Sequence, residues 1–444
     1  MHDPCKQRHV SLCIVFYALL TLSPAAAISA ESGGSVPPRK VTIAYSSISG
    51  NMAPVWVTFE AGLFHKYGID AQIVFIEGGP TAAKAILSGD VDVAEIAGAA
   101  VLQSNLQGSG MVMIAGLLNT MNYQLIVAKS ITRPDLLKGK ALAVSRYGSS
   151  SDFATRYALD KYGLQPGKDV AILEIGTQPA RFAALETGKI QGVMLEVPLT
   201  LQAKKMGFSV LADLQMLGLE YQHTGLATTQ TFIKSRPDLV RDIMKALAEG
   251  IHYYKTHRRE SLAILAKYLK TAEPEGLAET YDILGLRLLP EKPYPTLRGI
   301  QIMLRELAAK QPKARAARPE QFVDLTFITE LDKSGFIDRL YKTQPAITSR
   351  EQPLPATASV TVKEKTQTAN EAKPAVAQQK PVATPAPADG AQKHTVKVGV
   401  TLTRLALQYY GDALKWWKIY EANKQTVKNP QYIYVGQTII IPAP

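Results

Sequence analysis

The first half of the chain repeats one pattern four times: an apolar strand-like segment, a loop of small residues, and a helix pattern. The four loops span residues 46–51, 78–81, 148–151 and 177–179. Strands that alternate with helices predict parallel sheets. The loops at the carboxyl ends of such strands are where small ligands bind. The alternation therefore predicts an α/β fold. None of the four loops carries a nucleophile with a base beside it, which favours binding over catalysis.

The N-terminus has the order of a secretory signal peptide. Lys6 and Arg8 precede an apolar run at 10–22, and small residues follow at 25–30. We therefore expect residues 1–30 to be a cleaved signal peptide and the protein to work in the periplasm or cell envelope.

Charge and residue types argue against several functional classes. The net charge of +12 is spread along the chain without a block of Lys and Arg, so we expect no nucleic-acid partner. Both cysteines, Cys5 and Cys13, lie in the predicted signal peptide, which predicts a mature chain without disulfides. His252 and His257 are five residues apart and so fall on different helix faces. With no zinc-type histidine spacing elsewhere, we expect no metal and no cofactor.

Residues 343–393 separate two folded parts. This segment has no Phe, Tyr or Trp, and seven of its 51 residues are proline. It cannot bury enough apolar surface to offset the entropy of ordering it. We expect a disordered linker with a span of roughly 40 Å between parts at 31–342 and 394–444.

Three phrases in the first part carry a resemblance to a known family. Residues 60–68 read as a helix end capped by glycine, and residues 85–94 as a helix that stops and turns into a strand. Residues 186–193 repeat that helix-to-strand turn. With these phrases, the stretch 41–214 resembles the periplasmic solute-binding proteins of ABC importers for nitrate, sulfonates, taurine and thiamin pyrimidine precursors.

The resemblance implies a type II periplasmic-binding-protein fold, with two α/β lobes joined by a hinge. It places lobe I at about 40–125 and 226–342, and lobe II at about 126–225. The crossing segments fall near 123–128 and 221–229. It also implies a monomer that delivers a small-molecule solute to an ABC permease.

The last part reads strand, helix, helix, strand between residues 394 and 442, and it resembles a LysM domain. That family binds peptidoglycan, so the resemblance implies a wall-bound protein with a small βααβ domain. It carries over a glycan groove formed by Gly399, Thr401, Leu402, Asn429, Pro430, Tyr432 and Ile433. Val400 departs from the aspartate usual in the family, which puts glycan affinity in question. We expect Trp416 and Trp417 to contribute to the core of this domain.

The candidate solute site consists of small and hydroxyl-bearing residues at the strand ends. They are Ser46, Ser47, Gly50, Asn51, Gly78, Gly79, Gly98, Gly148, Ser149, Ser150, Ser151, Thr177, Gln178 and Glu196. The serines at 149–151 precede a helix near Asp152, so they form either an oxyanion cradle or a simple N-cap. Glu196 either pairs with an amine or aminopyrimidine, or caps the helix that follows Pro198.

These observations predict an exported receptor, not an enzyme, for a small anionic, aromatic or heterocyclic solute. Two alternatives stay open. A LysM-bearing envelope enzyme could use the same fold, and a receptor could serve a signalling partner instead of a transporter.

Overall fold

The computed structural model describes residues 38–217, 220–309, 311–342, 391–396, 400–427, 433 and 437–443. The predicted signal peptide and residues 343–390 of the predicted linker lie outside these ranges, so both stay predictions. Within the described residues, no helix is long and apolar enough to cross a bilayer.

Among the described residues, the strands form two five-stranded sheets and one two-stranded sheet. They are β1 Arg39–Tyr45, β2 Ile69–Phe75, β3 Val93–Ala97, β4 Met111–Thr120, β5 Gln124–Val127, β6 Lys140–Val144, β7 Val170–Glu174, β8 Gly192–Leu195, β9 Ser209–Asp213, β10 Glu220–Thr229, β11 Gln392–Thr395 and β12 Thr438–Ile441. The first sheet has the order β2-β1-β3-β10-β4 and the second β7-β6-β8-β5-β9.

Each large sheet has a parallel centre with antiparallel additions. In the first, β1 runs parallel to β2 and β3, while β10 runs antiparallel to β3 and β4. In the second, β6 runs parallel to β7 and β8, while β5 runs antiparallel to β8 and β9. The chain passes from β4 to β5 and returns from β9 to β10, so it crosses between the sheets twice. The two-lobed α/β architecture predicted from the sequence is confirmed.

The helices pack against these sheets. They are α1 Ala53–Glu60, α2 Leu63–Lys66, α3 Gly79–Ser88, α4 Gly98–Leu106, α5 Ser150–Lys161, α6 Gln178–Glu186, α7 Leu199–Lys205, α8 Gln230–Ser235, α9 Pro237–Thr256, α10 Arg258–Leu269, α11 Pro274–Thr280, α12 Leu297–Ala308, α13 Pro312–Ala316, α14 Thr326–Lys333, α15 Phe336–Lys342, α16 Leu402–Tyr410 and α17 Trp416–Ala422. A π-helix, Tyr281–Leu288, continues α11.

The helical segment after β10 completes the first lobe. In α9, Val240, Ile243, Leu247 and Ile251 recur at helical spacing and are fully buried in the core of that lobe. The same core contains Trp56 of α1. The segment therefore is part of the first lobe and not a separate body.

The return to the first lobe begins before the predicted boundary at 226. The whole of β10, from Glu220, lies in the first sheet, where Gly225 faces Ile96 of β3 and Gly116 of β4. An added Cβ at Gly225 would lie 2.4 Å from the carbonyl oxygen of Ala115, so only glycine allows this close approach. The contacts that place this strand are long-range and leave no local signal in the sequence.

The C-terminal part has the predicted βααβ order: β11, α16, α17 and β12, with β11 antiparallel to β12. Gly411 ends α16 with φ of 65°, a left-handed conformation that favours glycine.

Candidate functional site

A cavity lies between the two large sheets, where strands from both lobes end. It holds about 500 Å³ of space, including its mouth. In the first lobe Ser46 and Glu77 follow β1 and β2, and in the second Ser145, Thr177 and Glu196 follow β6, β7 and β8. The other lining residues are Ser47, Asn51, Met52, Phe75, Gly78, Gly79, Ala97, Tyr123, Ser149, Ser150, Ser151, Gly176, Arg181, His223 and Thr224. Both sets of parallel strands thus present their carboxyl ends to one space, as in other open-sheet ligand sites.

The Glu196 carboxylate bridges the two lobes inside this cavity, and its side chain is only 2% exposed. From the first lobe, Ser49 Oγ donates to Glu196 Oε2 at 2.8 Å, and Asn51 Nδ2 donates to Oε1. From the second lobe, Gln178 Nε2 donates to Oε2. Because Ser49 and Asn51 lie in the other lobe, two of these hydrogen bonds exist only while the lobes are together.

His223 of β10 completes the surroundings of this carboxylate, with Nε2 3.2 Å from Glu196 Oε1. Burial lowers the pKa of His223, and the negative charge of Glu196 opposes that shift. Burial also raises the pKa of Tyr123, whose ring centroid lies 4.9 Å from that of His223. Burial therefore favours the neutral form of both rings, and His223 Nε2 lies within hydrogen-bonding distance of the carboxylate.

The serines at the N-terminus of α5 both cap the helix and line the cavity. Ser149 Oγ accepts from the Asp152 N–H at 3.3 Å, as an N-cap does. Ser151 Oγ lies 3.0 Å from Ser149 Oγ and accepts from the Ser145 N–H at 3.0 Å. Ser150 Oγ donates across the lobes to the carbonyl oxygen of His223 at 3.4 Å. The cap and the cavity lining therefore coexist in one loop, and the two readings of the sequence are not exclusive.

Arg181, on the first turns of α6, is a buried cation in the cavity wall, with 2% of its surface exposed. Its guanidinium donates to the carbonyl oxygen of Gly176, and Nη2 donates to that of Met194 at 3.4 Å. Burial lowers the pKa of Arg181, while Tyr123 and Glu196 oppose the shift. The cation fixes the turn after β7 and offsets the buried charge of Glu196.

Ion pairs join the lobes at the edge of the cavity. Arg146 of the second lobe lies 2.7 Å from Glu77 of the first. Lys205 of α7 lies 2.5 Å from Glu275 and 3.4 Å from Glu273, next to α11 of the first lobe. These side chains are partly exposed, so each pair contributes little energy.

Ten of the predicted solute-site residues line the cavity: Ser46, Ser47, Asn51, Gly78, Gly79, Ser149, Ser150, Ser151, Thr177 and Glu196. Gln178 lines a neighbouring groove but donates to Glu196. Glu196 does not cap α7 with its carboxylate, which is held by residues of the cavity instead.

Three of the predicted glycines do not line the cavity. An added Cβ at Gly50 would lie 2.4 Å from Thr280 Cγ2, and one at Gly98 would lie 2.3 Å from the carbonyl oxygen of Gln222. Gly148 faces Gln103 in a separate groove, with φ of 79°. These glycines allow close packing and do not line the cavity. The prediction was wrong here because a small residue at a strand end can mark a close approach of two segments as well as a ligand site.

The sequence prediction missed Arg181, His223, Tyr123 and Thr224. For Arg181, the one available signal was a charged residue on the same buried face of α6 as Phe182 and Leu185. The other three lie where the chain crosses between lobes, and no local pattern marks them.

Ser150 meets the backbone carbonyl of His223 and not its imidazole. In the described ranges, no cluster of three or more His, Cys, Asp or Glu side chains could hold a metal ion. The cavity offers a solute enclosed hydroxyl, amide and carboxylate groups.

Of the predicted glycan groove, only Thr401, Leu402 and Ile433 fall in the described residues. Thr401 Oγ1 caps α16 by accepting from the Arg404 N–H at 3.2 Å. Leu402 is 2% exposed and lies in the domain core, so its side chain does not line an open groove. Gly399, Asn429, Pro430 and Tyr432 lie outside the described residues.

Comparison with known proteins agrees with both parts of the fold. Residues 49–261 match the NMT1/THI5-like family, and residues 394–442 match the LysM domain family. YtlA, a candidate binding protein of Bacillus subtilis (strain 168), is 24% identical over 229 residues, which are 50% of this chain and 68% of YtlA. The potassium binding protein Kbp of Escherichia coli O6:H1 is 48% identical over 61 residues, but these are 14% of this chain and 41% of Kbp.

Among solved structures, the alkanesulfonate-binding protein SsuA from Xanthomonas axonopodis pv. citri, bound to MOPS, aligns with a TM-score of 0.53 at 18% identity. The alignment covers 62% of this chain and 94% of that one. The chain therefore combines an NMT1/THI5-like domain, with the fold of SsuA-type solute-binding proteins, and a LysM domain.

Proposed function

Because the chain joins an NMT1/THI5-like domain to a LysM domain, we propose that it is an exported receptor that captures a small polar solute for an ABC permease. The observation that carries this proposal is the cross-lobe hydrogen bonding of Glu196, inside a cavity formed by strand ends of both lobes. Such a site opens and closes by a hinge motion of the kind found in periplasmic binding proteins.

The cavity offers two kinds of contact to a solute. Hydroxyls of Ser46, Ser47 and Ser150, with the N-terminus of α5, suit hydrogen-bond acceptors. Glu77 suits hydrogen-bond donors, and the negative charges of Glu77 and Glu196 disfavour a bare anion. A solute that carries both donors and acceptors, such as an amino-substituted heterocycle or a zwitterion, fits this set better than nitrate does.

A thermal-shift titration tests the proposal. The panel comprises nitrate, alkylsulfonates, taurine, aminopyrimidines and aromatic carboxylates. A specific solute at 100 times its Kd stabilises the folded chain by about 2.7 kcal/mol. We expect Glu196→Ala to lose this shift and Glu186→Ala, which changes an exposed carboxylate on the same lobe, to keep it. Conversion of a bound solute into a product would refute the receptor function.

We further propose that the LysM domain binds peptidoglycan and retains the receptor at the cell wall. Its support is the family match and the predicted groove, of which Thr401 stands at the start of α16. The full chain is expected to pellet with purified peptidoglycan, and deletion of 394–444 is expected to abolish pelleting while solute affinity remains. Equal pelleting of the truncated chain would exclude the wall-binding role.

A further inference from the structure

The LysM domain contacts the second lobe through a buried tryptophan. Trp416, at the start of α17, is 4% exposed, and its Nε1 donates to the carbonyl oxygen of Leu211 at 2.8 Å. Tyr162 Oη, from the end of α5, donates to the same oxygen at 2.8 Å. The carbonyl thus accepts one hydrogen bond from its own lobe and one from the LysM domain.

The position of Leu211 explains why this carbonyl is available. Leu211 lies in β9, which is an edge strand of the second sheet. The register between β9 and β5 shifts at this point, so Leu211 has no paired residue across the ladder. An edge strand with unpaired backbone groups is exposed to unwanted pairing unless another element covers it. The LysM domain covers this one.

Apolar side chains continue the contact. Leu159, Leu164 and Leu214 of the second lobe belong to one buried cluster with Leu405 and Leu414 of the LysM domain. The short 3-10 turns at 214–217 and 413–415 lie against each other. A continuous apolar core across two domains is typical of a stable interface and not of a mobile pair.

A polar contact orients the domain at the rim. Arg133 of the second lobe donates from Nη1 to Glu421 Oε1 at 3.1 Å, and it also pairs with Asp135 at 2.9 Å. Both partners of the cross-domain pair are about two-fifths exposed. This ion pair therefore orients the LysM domain more than it stabilises the contact.

We propose that the LysM domain is docked in cis on the second lobe through Trp416, instead of moving freely on the predicted linker. If the proposed function holds, a wall-bound receptor then keeps its second lobe fixed, and the first lobe carries out the closing motion. The docking itself depends on neither the solute nor the glycan.

Spin-label distances in the full chain test the docking. Nitroxides at Lys138→Cys and Gln425→Cys report on the second lobe and the LysM domain, because both positions are exposed. The chain's own cysteines, Cys5 and Cys13, are replaced by serine so that they carry no label. We expect one narrow distance that persists when labelled chain is mixed with excess unlabelled chain. A broad distribution, as for a domain that moves freely on a flexible linker, would overturn the proposal. Loss of the narrow distance on mixing would also overturn it, since the contact would then join two copies.

Variants identify the surface. Trp416→Ala is expected to broaden the distance distribution, but it also removes a core residue of the LysM domain. Arg133→Glu on the second lobe keeps that core intact and should add a broad component, which Glu421→Arg should reverse. Lys140→Glu, the same charge change at an exposed site of that lobe, should leave the distance narrow. A distribution unchanged by both Trp416→Ala and Arg133→Glu would refute this surface.

Discussion

Removal of the Glu196 carboxylate should open the cleft. Glu196→Ala deletes two hydrogen bonds across the lobes, from Ser49 and Asn51, together with the 3.2 Å contact with His223 of the first lobe. The hydrogen bond from Gln178 is also lost, but it lies within the second lobe and does not hold the cleft closed. A hydrogen bond to a charged group contributes about 1.5–3 kcal/mol, so the closed form should lose about 3–6 kcal/mol relative to the open form. Since 1.4 kcal/mol is a tenfold change, the ratio of closed to open molecules should fall by about 10² to 10⁴.

The distance between the lobes measures this ratio. Fluorophores at Lys84→Cys and Lys189→Cys, exposed positions in the first and second lobe, give an energy-transfer signal that decreases on opening. Glu196→Ala without solute should show the low-transfer state, and Glu196→Gln should lie between it and the parent. Glu186→Ala controls for loss of an exposed carboxylate on the same lobe. If Glu196→Ala keeps the parent transfer efficiency and solute affinity, Glu196 does not hold the lobes together.

Three further results are expected. Burial raises the pKa of Glu95 well above 4.5, so the free energy of unfolding should fall as the pH rises beyond that value. Urea titrations at several pH values should show a weaker pH dependence for Glu95→Gln than for the parent. The same pH dependence in both proteins would refute this role of Glu95. Gly250→Ala in α9 places a Cβ 1.9 Å from Thr58 Oγ1 and should cost about 1–3 kcal/mol of stability. Thr58→Ala in the same chain should recover part of this loss. If the stability losses of the two single substitutions simply add in the double mutant, the clash is contradicted. Arg146→Ala breaks the partly exposed ion pair with Glu77 and should shift lobe closure by at most about 1 kcal/mol, measured by the same energy-transfer assay. A loss of closure as large as that of Glu196→Ala would refute the conclusion that this pair stabilises the closed form less than Glu196 does.

Local patterns predicted most of the cavity lining on the second lobe. Ser149 precedes α5, whose first residues are Ser150 and Ser151, and Thr177 stands between β7 and α6. Strand periodicity and helix capping therefore place them at the sheet edge. Gly50 and Gly98 show the limit of this reasoning. A glycine at a strand end permits either a ligand or a packed neighbour, and at these two positions the neighbours are Thr280 and Gln222.

The sequence by itself determined the alternation of strands and helices and the division into an α/β part and a βααβ part. It could do so because apolar periodicity, small-residue loops and glycine caps act over a few residues. Tertiary structure alone decided which groups meet: Ser49 with Glu196, 147 residues apart, and Trp416 with Leu211, 205 apart. Such contacts depend on how two sheets and an edge strand come together in space. The residues next to each partner in the sequence do not indicate which distant residue it will contact.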